Sequence, residues 1–224
     1  MSAVTPKTAD VPATTPTSGP GTFPHGIHPP ERKELSESTP IEVLETPAKV
    51  AVPLLQHTGA PCTPTGKPRT EVAAGDKIGD AEAFVSAPIH SPLAGKTAKP
   101  GKTTLPNGRH VDAIAVKADG EQLSAEEIRE RCFGCDLDAL DPERYSPEDI
   151  VKAVREGGLV GLGGAAFPTH VKLSPPPEKK IDTLLVNGCE CEPYLNADNR
   201  VMIEAPEAVV AGALLAGRAV GAGH

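Results

Sequence analysis

From Ile41 to about Lys117, apolar and polar positions alternate in short runs broken by turn residues, the pattern of half-buried strands. It predicts strands at Ile41–Leu44, Lys49–Pro53, Ala83–Ala87, Gly95–Ala98 and Val111–Val116. Turns are marked by Thr58-Gly59-Ala60-Pro61, Ala74-Gly75-Asp76 and Pro106-Asn107-Gly108. Strands this closely spaced predict a small all-β barrel or sandwich.

Beyond Lys117 the period lengthens. A short helix is predicted at Ala125–Arg131. Ser146-Pro147-Glu148-Asp149 opens another, with Ser as N-cap, Pro in the first turn and acids facing the dipole. Ile150, Val151 and Val154 form its apolar stripe, and Gly157-Gly158 ends it. A further helix carries Val171 and stops at Pro175-Pro176-Pro177. Ile181-Asp182-Thr183-Leu184-Leu185-Val186 predicts a buried strand that turns at Asn187-Gly188. A last helix is expected from about Glu204 to Val220, with Val209, Val210, Ala213, Leu214 and Leu215 facing a core. The chain thus divides into a polar tail (1–22), a β-rich domain (23–117), an acidic connector (118–146) and an α/β unit (147–224).

Composition sharpens this picture. Seventeen of the 25 prolines precede residue 107, which suits turns and edges rather than helices. The net charge is −8, with ten acidic and three basic side chains in 121–150, and aromatics are 3% with no Trp. Nothing here favours nucleic acid as a partner. Five cysteines at irregular spacing do not make a disulfide framework. No apolar run follows the start, and Ala205–Ala219 is too short and too interrupted to span a bilayer. By itself the chain reads as soluble and cytosolic, with a peripheral place on a membrane complex left open.

Chemistry concentrates at Gly157–Lys172, where five glycines fall within eight residues (157–164) ahead of Phe167, Pro168, Thr169 and Lys172. Such a loop brings backbone close to a bound group, and free N–H groups at a following helix start would favour an anion or an electron-rich cofactor edge. The spacing is neither G-x-G-x-x-G nor a phosphate loop, and glycine-rich turns also serve plain chain reversal. If this loop and the end of the strand at Val186 share one α/β layer, the loop would face Asn187, Glu190 and Glu192, as ligands gather at the carboxyl ends of strands. His25 and His28, and the lone pair Cys132 and Cys135, lack the companions that metal sites need, so no metal ligands are assigned in this chain.

Three resemblances bear on function. Ala87–Lys96 and the turn Ala74–Gly79 resemble the central hairpin and entry turn of biotinyl and lipoyl carrier domains, but without the exposed lysine at the tip. A scaffold, not a swinging arm, is implied. Gly161–Lys172 resembles the flavin loop of the 51-kDa NADH-binding subunit of respiratory complex I, with Leu162 for its usual Arg and Ala166 for its last Gly. Asn187–Pro193 is similar to that family's N-A-D-E-x-E-P, with Cys189 in place of Asp. Gly26–Pro30, Ala48–Pro61, Val160–Leu173 and Glu190–Tyr194 together resemble, in order, the C subunit of the Rnf ion-translocating NADH:ferredoxin oxidoreductase.

That resemblance implies a barrel-sandwich hybrid followed by the first part of an α/β flavin- and NADH-binding domain. It implies FMN held by Gly161, Gly163, Gly164, Lys172, Asn187 and Glu190, with Phe167 and Glu192 on the nicotinamide side and no acid–base role for either. NADH would be the substrate, and two 4Fe–4S clusters would lie in a cysteine-rich region beyond His224, making this an N-terminal fragment, inactive alone. The implied partners are other Rnf subunits and, through them, ferredoxin, at the cytoplasmic face of the inner membrane. A flavin subunit of a soluble NADH-dependent hydrogenase or formate dehydrogenase is the nearer alternative, but Gly26–Pro30 and Ala48–Pro61 lie outside any flavin domain. A non-catalytic assembly module is the alternative of another class.

Overall fold

The computed structural model describes residues 29–224. The tail 1–22, His25, His28 and the start of the Gly26–Pro30 motif lie outside the described residues.

Two antiparallel sheets share one core. The larger contains β1 (Lys49–Pro53), β3 (Glu71–Val72), β6 (Gly95–Thr97), β7 (Gly101–Thr104) and β8 (His110–Ala118); the smaller contains β2 (Thr63–Pro64), β4 (Lys77–Asp80) and β5 (Ile89–His90). The long strand β8 organises the larger sheet. Its residues 113–117 pair with β1 along one edge, while β7 and β6 share the opposite edge at 110–113 and 116–118. Between the sheets, Val52, Leu54, Cys62, Ile78, Ile89, Leu93, Ile114 and Val116 form the core. Fully burying such side chains stabilises by roughly 1.5–3 kcal/mol each. The fold is the barrel-sandwich hybrid that the sequence led us to expect.

Three expectations for this half are corrected. Ile41–Leu44 is extended but in no sheet, because its backbone is satisfied by side chains: Ile41 N–H donates to Glu204, and Ile41 C=O accepts from Arg129. Ala83–Ala87 is no strand either; the carbonyls of Phe84, Val85 and Ala87 accept from His170, Ala60 N–H and the Cys62 thiol. Ala87–Lys96 is not a hairpin. β5 pairs with β4 and β6 with β3 and β8, so the segment crosses from one sheet to the other.

The second half is built on helices: α1 (Ala125–Phe133), α2 (Pro147–Glu156), α3 (Thr169–Lys172), α4 (Ala197–Glu204) and α5 (Pro206–Val220). Ser124 and Glu127 close a capping box on α1. Ser146 caps α2 through Asp149 N–H, with Pro147 in its first turn and Gly157 at its end, as the sequence predicts. Ile150, Leu173 and Ala219 form a second core, flanked by Val151, Val154, Leu215, Ala216 and Val220. The helix expected from about Glu204 to Val220 is α5, starting at Pro206; α4 before it was not expected, and the two are separated at Ala205 ahead of Pro206. The buried stripe of α5 is Ala211 and Ala219, while Val210 and Leu214 are largely exposed.

Residues 181–186 carry no ladder, contrary to expectation, and Leu185 and Val186 stand exposed. Their pairing among the described residues is confined to the chain's last residues. His224 N–H donates to Asp182 O and His224 O accepts from Leu184 N–H. One residue bonding to both neighbours of Thr183 is the pattern of parallel pairing, with α4 and α5 as the crossover.

Candidate functional site

The glycine loop is a closed excursion from the edge of α2. Val160 and Pro168 form an antiparallel bridge at its neck, Gly161 N–H donates to Phe167 O at 2.9 Å, and Thr169 N–H donates to Leu159 O at 3.0 Å. The neck also sits against the β half. A Cβ on Gly158, which has φ +66°, would lie 2.3 Å from Pro88 O, so only glycine lets the backbone pass. Below the loop, His170 is buried, its Nε2 2.9 Å from Phe84 O and its ring edge-on to Phe84.

Between neck and neck the loop is open. Gly163 and Gly164 have nothing within 4 Å of where a Cβ would stand, and Gly164 takes φ +114°. Residues 162–165 form a turn, and among the described residues no amide from Leu162 to Phe167 meets a protein acceptor in good hydrogen-bond geometry. A run of unused N–H groups on a glycine-rich turn is a concavity suited to anionic or electron-rich atoms. The donors are therefore those of the loop and not of the helix behind it. With four residues, α3 has no useful dipole, and its first N–H is spent on Leu159. Pro168, expected in the first turn, is the buried residue before it.

Lys172 ends α3 and folds back beneath the loop: a Cβ on Gly161 would lie 3.3 Å from its Nζ. Phe167 is half-buried at the neck, and its carbonyl closes it. The structure thus gathers Gly161, Gly163, Gly164, Phe167 and Lys172 on one feature.

Asn187, Glu190 and Glu192 form a second feature. Asn187 Oδ1 accepts from Cys189 N–H at 3.0 Å, an Asx turn, and Glu190 Oε2 accepts from Asp198 N–H at 2.8 Å at the start of α4. Glu192 is exposed, and its carbonyl accepts from Lys33 at 3.3 Å. Tyr194 sits at φ +69°, its N–H donating to Glu31 O and its C=O accepting from the Ser36 hydroxyl. Among the described residues, no hydrogen bond or ion pair joins this turn to the glycine loop. Each is organised separately, the loop by the β half and the turn by residues 31–37.

FMN fits what the loop offers: unused amides, glycines with open space where a side chain would block a flat ring or a phosphate, and one ammonium at the base. No three His, Cys, Asp or Glu side chains converge as a metal site among the described residues, and Cys132, Cys135, Cys189 and Cys191 are free thiols. Sequence reasoning missed Thr58. It reads there as part of a turn and of the Ala48–Pro61 stretch, with no site role, yet its hydroxyl donates to Ala165 O at 2.6 Å and its N–H to Ala166 O at 3.0 Å.

Comparison with known proteins agrees with both halves. Residues 21–121 match the RnfC barrel sandwich hybrid domain, and residues 154–224 match the Nuo51 FMN-binding domain. The C subunit of the Na+-translocating ferredoxin:NAD+ oxidoreductase complex of Acetobacterium woodii is 41% identical over 209 residues, covering 90% of this chain and 44% of the relative. The C subunit of the proton-translocating ferredoxin:NAD+ oxidoreductase complex of Clostridium ljungdahlii is 40% identical over 190 residues, covering 85% and 40%. The C subunit of the ion-translocating oxidoreductase complex of Rhodobacter capsulatus is 38% identical over 198 residues, covering 88% and 36%. The chain spans less than half the length of these relatives. The chain thus carries a match to the RnfC barrel sandwich hybrid domain followed by a match to the Nuo51 FMN-binding domain, and it is similar to the C subunits of these complexes across most of its own length.

Proposed function

We propose that this chain is the FMN-holding, NADH-facing part of the C subunit of an ion-translocating NADH:ferredoxin oxidoreductase. The observation that carries the reading is the run of unused amides from Leu162 to Phe167 above the Lys172 ammonium. Gly161, Gly163 and Gly164 let the backbone approach the cofactor, Lys172 offsets its negative charge, and Asn187 and Glu190 would fix its edge from the turn at 187–192. Phe167 and Glu192 border the nicotinamide side. Neither moves a proton.

When bound, FMN supplies exchange of electron pairs with NADH and of single electrons with iron–sulfur clusters. Two 4Fe–4S clusters belong, on this reading, to sequence beyond residue 224. The subunit would lie peripherally on the cytoplasmic face of the membrane, where NADH is available, beside other subunits of the complex that pass electrons to or from ferredoxin. No helix among the described residues is long and apolar enough to cross a membrane.

FMN fluorescence titration tests the reading, with the gene product purified from its native host as the second sample. Saturable quenching by the wild type is expected. Gly163→Val should weaken it at least tenfold while leaving the fold intact, because nothing lies within 4 Å of that Cβ. A native gene product that carries no flavin and does not quench FMN would overturn the proposal.

A further inference from the structure

We infer that Thr58 is a positioning residue for the glycine loop, so that the β half braces the cofactor loop from behind instead of being a detached scaffold. The inference rests on the FMN reading of that loop.

The neck of the loop is held by its own half, through the Val160–Pro168 bridge. The returning limb is not. Its carbonyls at Ala165 and Ala166 are both taken by Thr58, one by the hydroxyl at 2.6 Å and one by the backbone N–H at 3.0 Å. A trans peptide puts its C=O and its N–H on opposite sides of the chain. Turning the Ala165 and Ala166 carbonyls toward the β half therefore turns the Ala166 and Phe167 amides away from it. The left-handed φ of +49° at Ala166 presents the two successive carbonyls to one partner. Such a conformation costs an alanine roughly 1–2 kcal/mol, so something must hold it.

Thr58 can hold it because its own turn is fixed on either side. His57 is buried with Nε2 2.9 Å from Ala60 O and 3.0 Å from the fully buried Ser86 hydroxyl. Gly59 takes φ +130° with its backbone against Val85 O, where a Cβ would stand 2.0 Å away. The stretch Gln56–Pro61 is thus a rigid bracket, and Thr58 is the residue it presents to the loop.

The test is Thr58→Val, which keeps the branched shape and the backbone N–H and removes only the hydroxyl, with Thr58→Ser as rescue. Each variant is titrated with FMN by fluorescence and its thermal midpoint is measured. The expected result is FMN binding weakened about five- to tenfold in Thr58→Val, restored in Thr58→Ser, with both midpoints unchanged. Wild-type affinity in Thr58→Val, loss in Thr58→Ser as well, or affinity falling only in step with the midpoint would each overturn the inference. If Gly163→Val loses flavin while Thr58→Val keeps it, the positioning role alone fails; if the wild type never binds flavin, both readings fail together.

Discussion

Arg155 Nη2, on α2, lies 3.0 Å from Asp80 Oδ1, at the end of β4, and donates also to Ala81 O at 2.8 Å. This pair joins the helical half to the barrel. Lys77 Nζ adds a contact to Asp80 at 3.0 Å and reaches Glu156. The Arg155 and Asp80 side chains are only 24% and 28% exposed, so the charges are partly withdrawn from water. Burial by itself would raise the Asp80 pKa, but hydrogen bonds from Lys77, Arg155 and Ala81 N–H outweigh it and bring it down to about 2. A carboxyl whose folded pKa lies below its unfolded value stabilises fully above the unfolded value and loses that contribution as pH falls toward the folded one. Chemical denaturation should therefore show up to about 2 kcal/mol lost between pH 4 and pH 2, less whatever solvent screens. Asp80→Asn should flatten that slope.

Glu204 ties three segments together. It accepts from Arg129, from Ile41 N–H and from Arg200, each within 2.9 Å, and these bonds hold its pKa at about 2. The sign matches Asp80: the contribution is present above the usual glutamate pKa and is lost as pH falls toward 2. Glu204→Gln should lower the exchange protection of the Ile41 amide at neutral pH to the level that the wild type shows only in acid. Equal protection in the two proteins at pH 7 would show that the carboxylate is not the anchor.

Glycines separate into two kinds. Gly59→Ala must move Val85 and strain a φ of +130°, so it should cost about 3 kcal/mol or more in urea denaturation. Gly212, inside α5 with open space where its Cβ would be, should behave oppositely. Gly212→Ala should stabilise by about 0.5–1 kcal/mol. The pair controls for each other, since only one of the two positions uses what glycine alone provides.

Asn196 Nδ2 donates to Lys33 O at 2.8 Å and Ser36 Oγ at 2.9 Å, and Lys33 Nζ returns a bond to Leu195 O at 3.0 Å. Residues 31–37 therefore strap the turn that carries Glu190 and Glu192. Asn196→Ala removes both of these hydrogen bonds and should cost about 1–3 kcal/mol. Limited proteolysis should then cut near Tyr194 first. Resistance equal to wild type would mean that Lys33 and Ser36 hold the turn unaided.

Legibility from sequence followed how local each determinant is. β1 was legible because Lys49–Pro53 alternates by itself, and α2 because Ser146, Pro147 and Gly157 mark its ends within one segment. β2, β3 and β5 are two residues long, too short for any period to show. Ile41–Leu44 and Ala83–Ala87 have strand-like composition, but distant side chains and loops claim their backbones. Ile181–Val186 has the composition of a strand without the neighbours of one among the described residues. At the site, glycine density located the loop. That its donors are loop amides, and that Thr58 turns them, depends on contacts between residues a hundred positions apart, which no local pattern encodes.

The parallel contact of His224 with Asp182 and Leu184 has a kinetic consequence. Antiparallel neighbours such as β4 and β5, or β7 and β8, can meet as soon as both are made. A parallel pair must wait for its whole crossover, here α4 and α5, and the entropy of closing so long a loop slows it further. During synthesis the barrel would be closed, and Thr58 in place, before residues 182–184 meet this partner. Through that interval Leu184 lacks its backbone partner, and Leu185 and Val186, which stay exposed in the finished fold, make the stretch adhesive. This slow contact thus forms after the bracket for the glycine loop is already built.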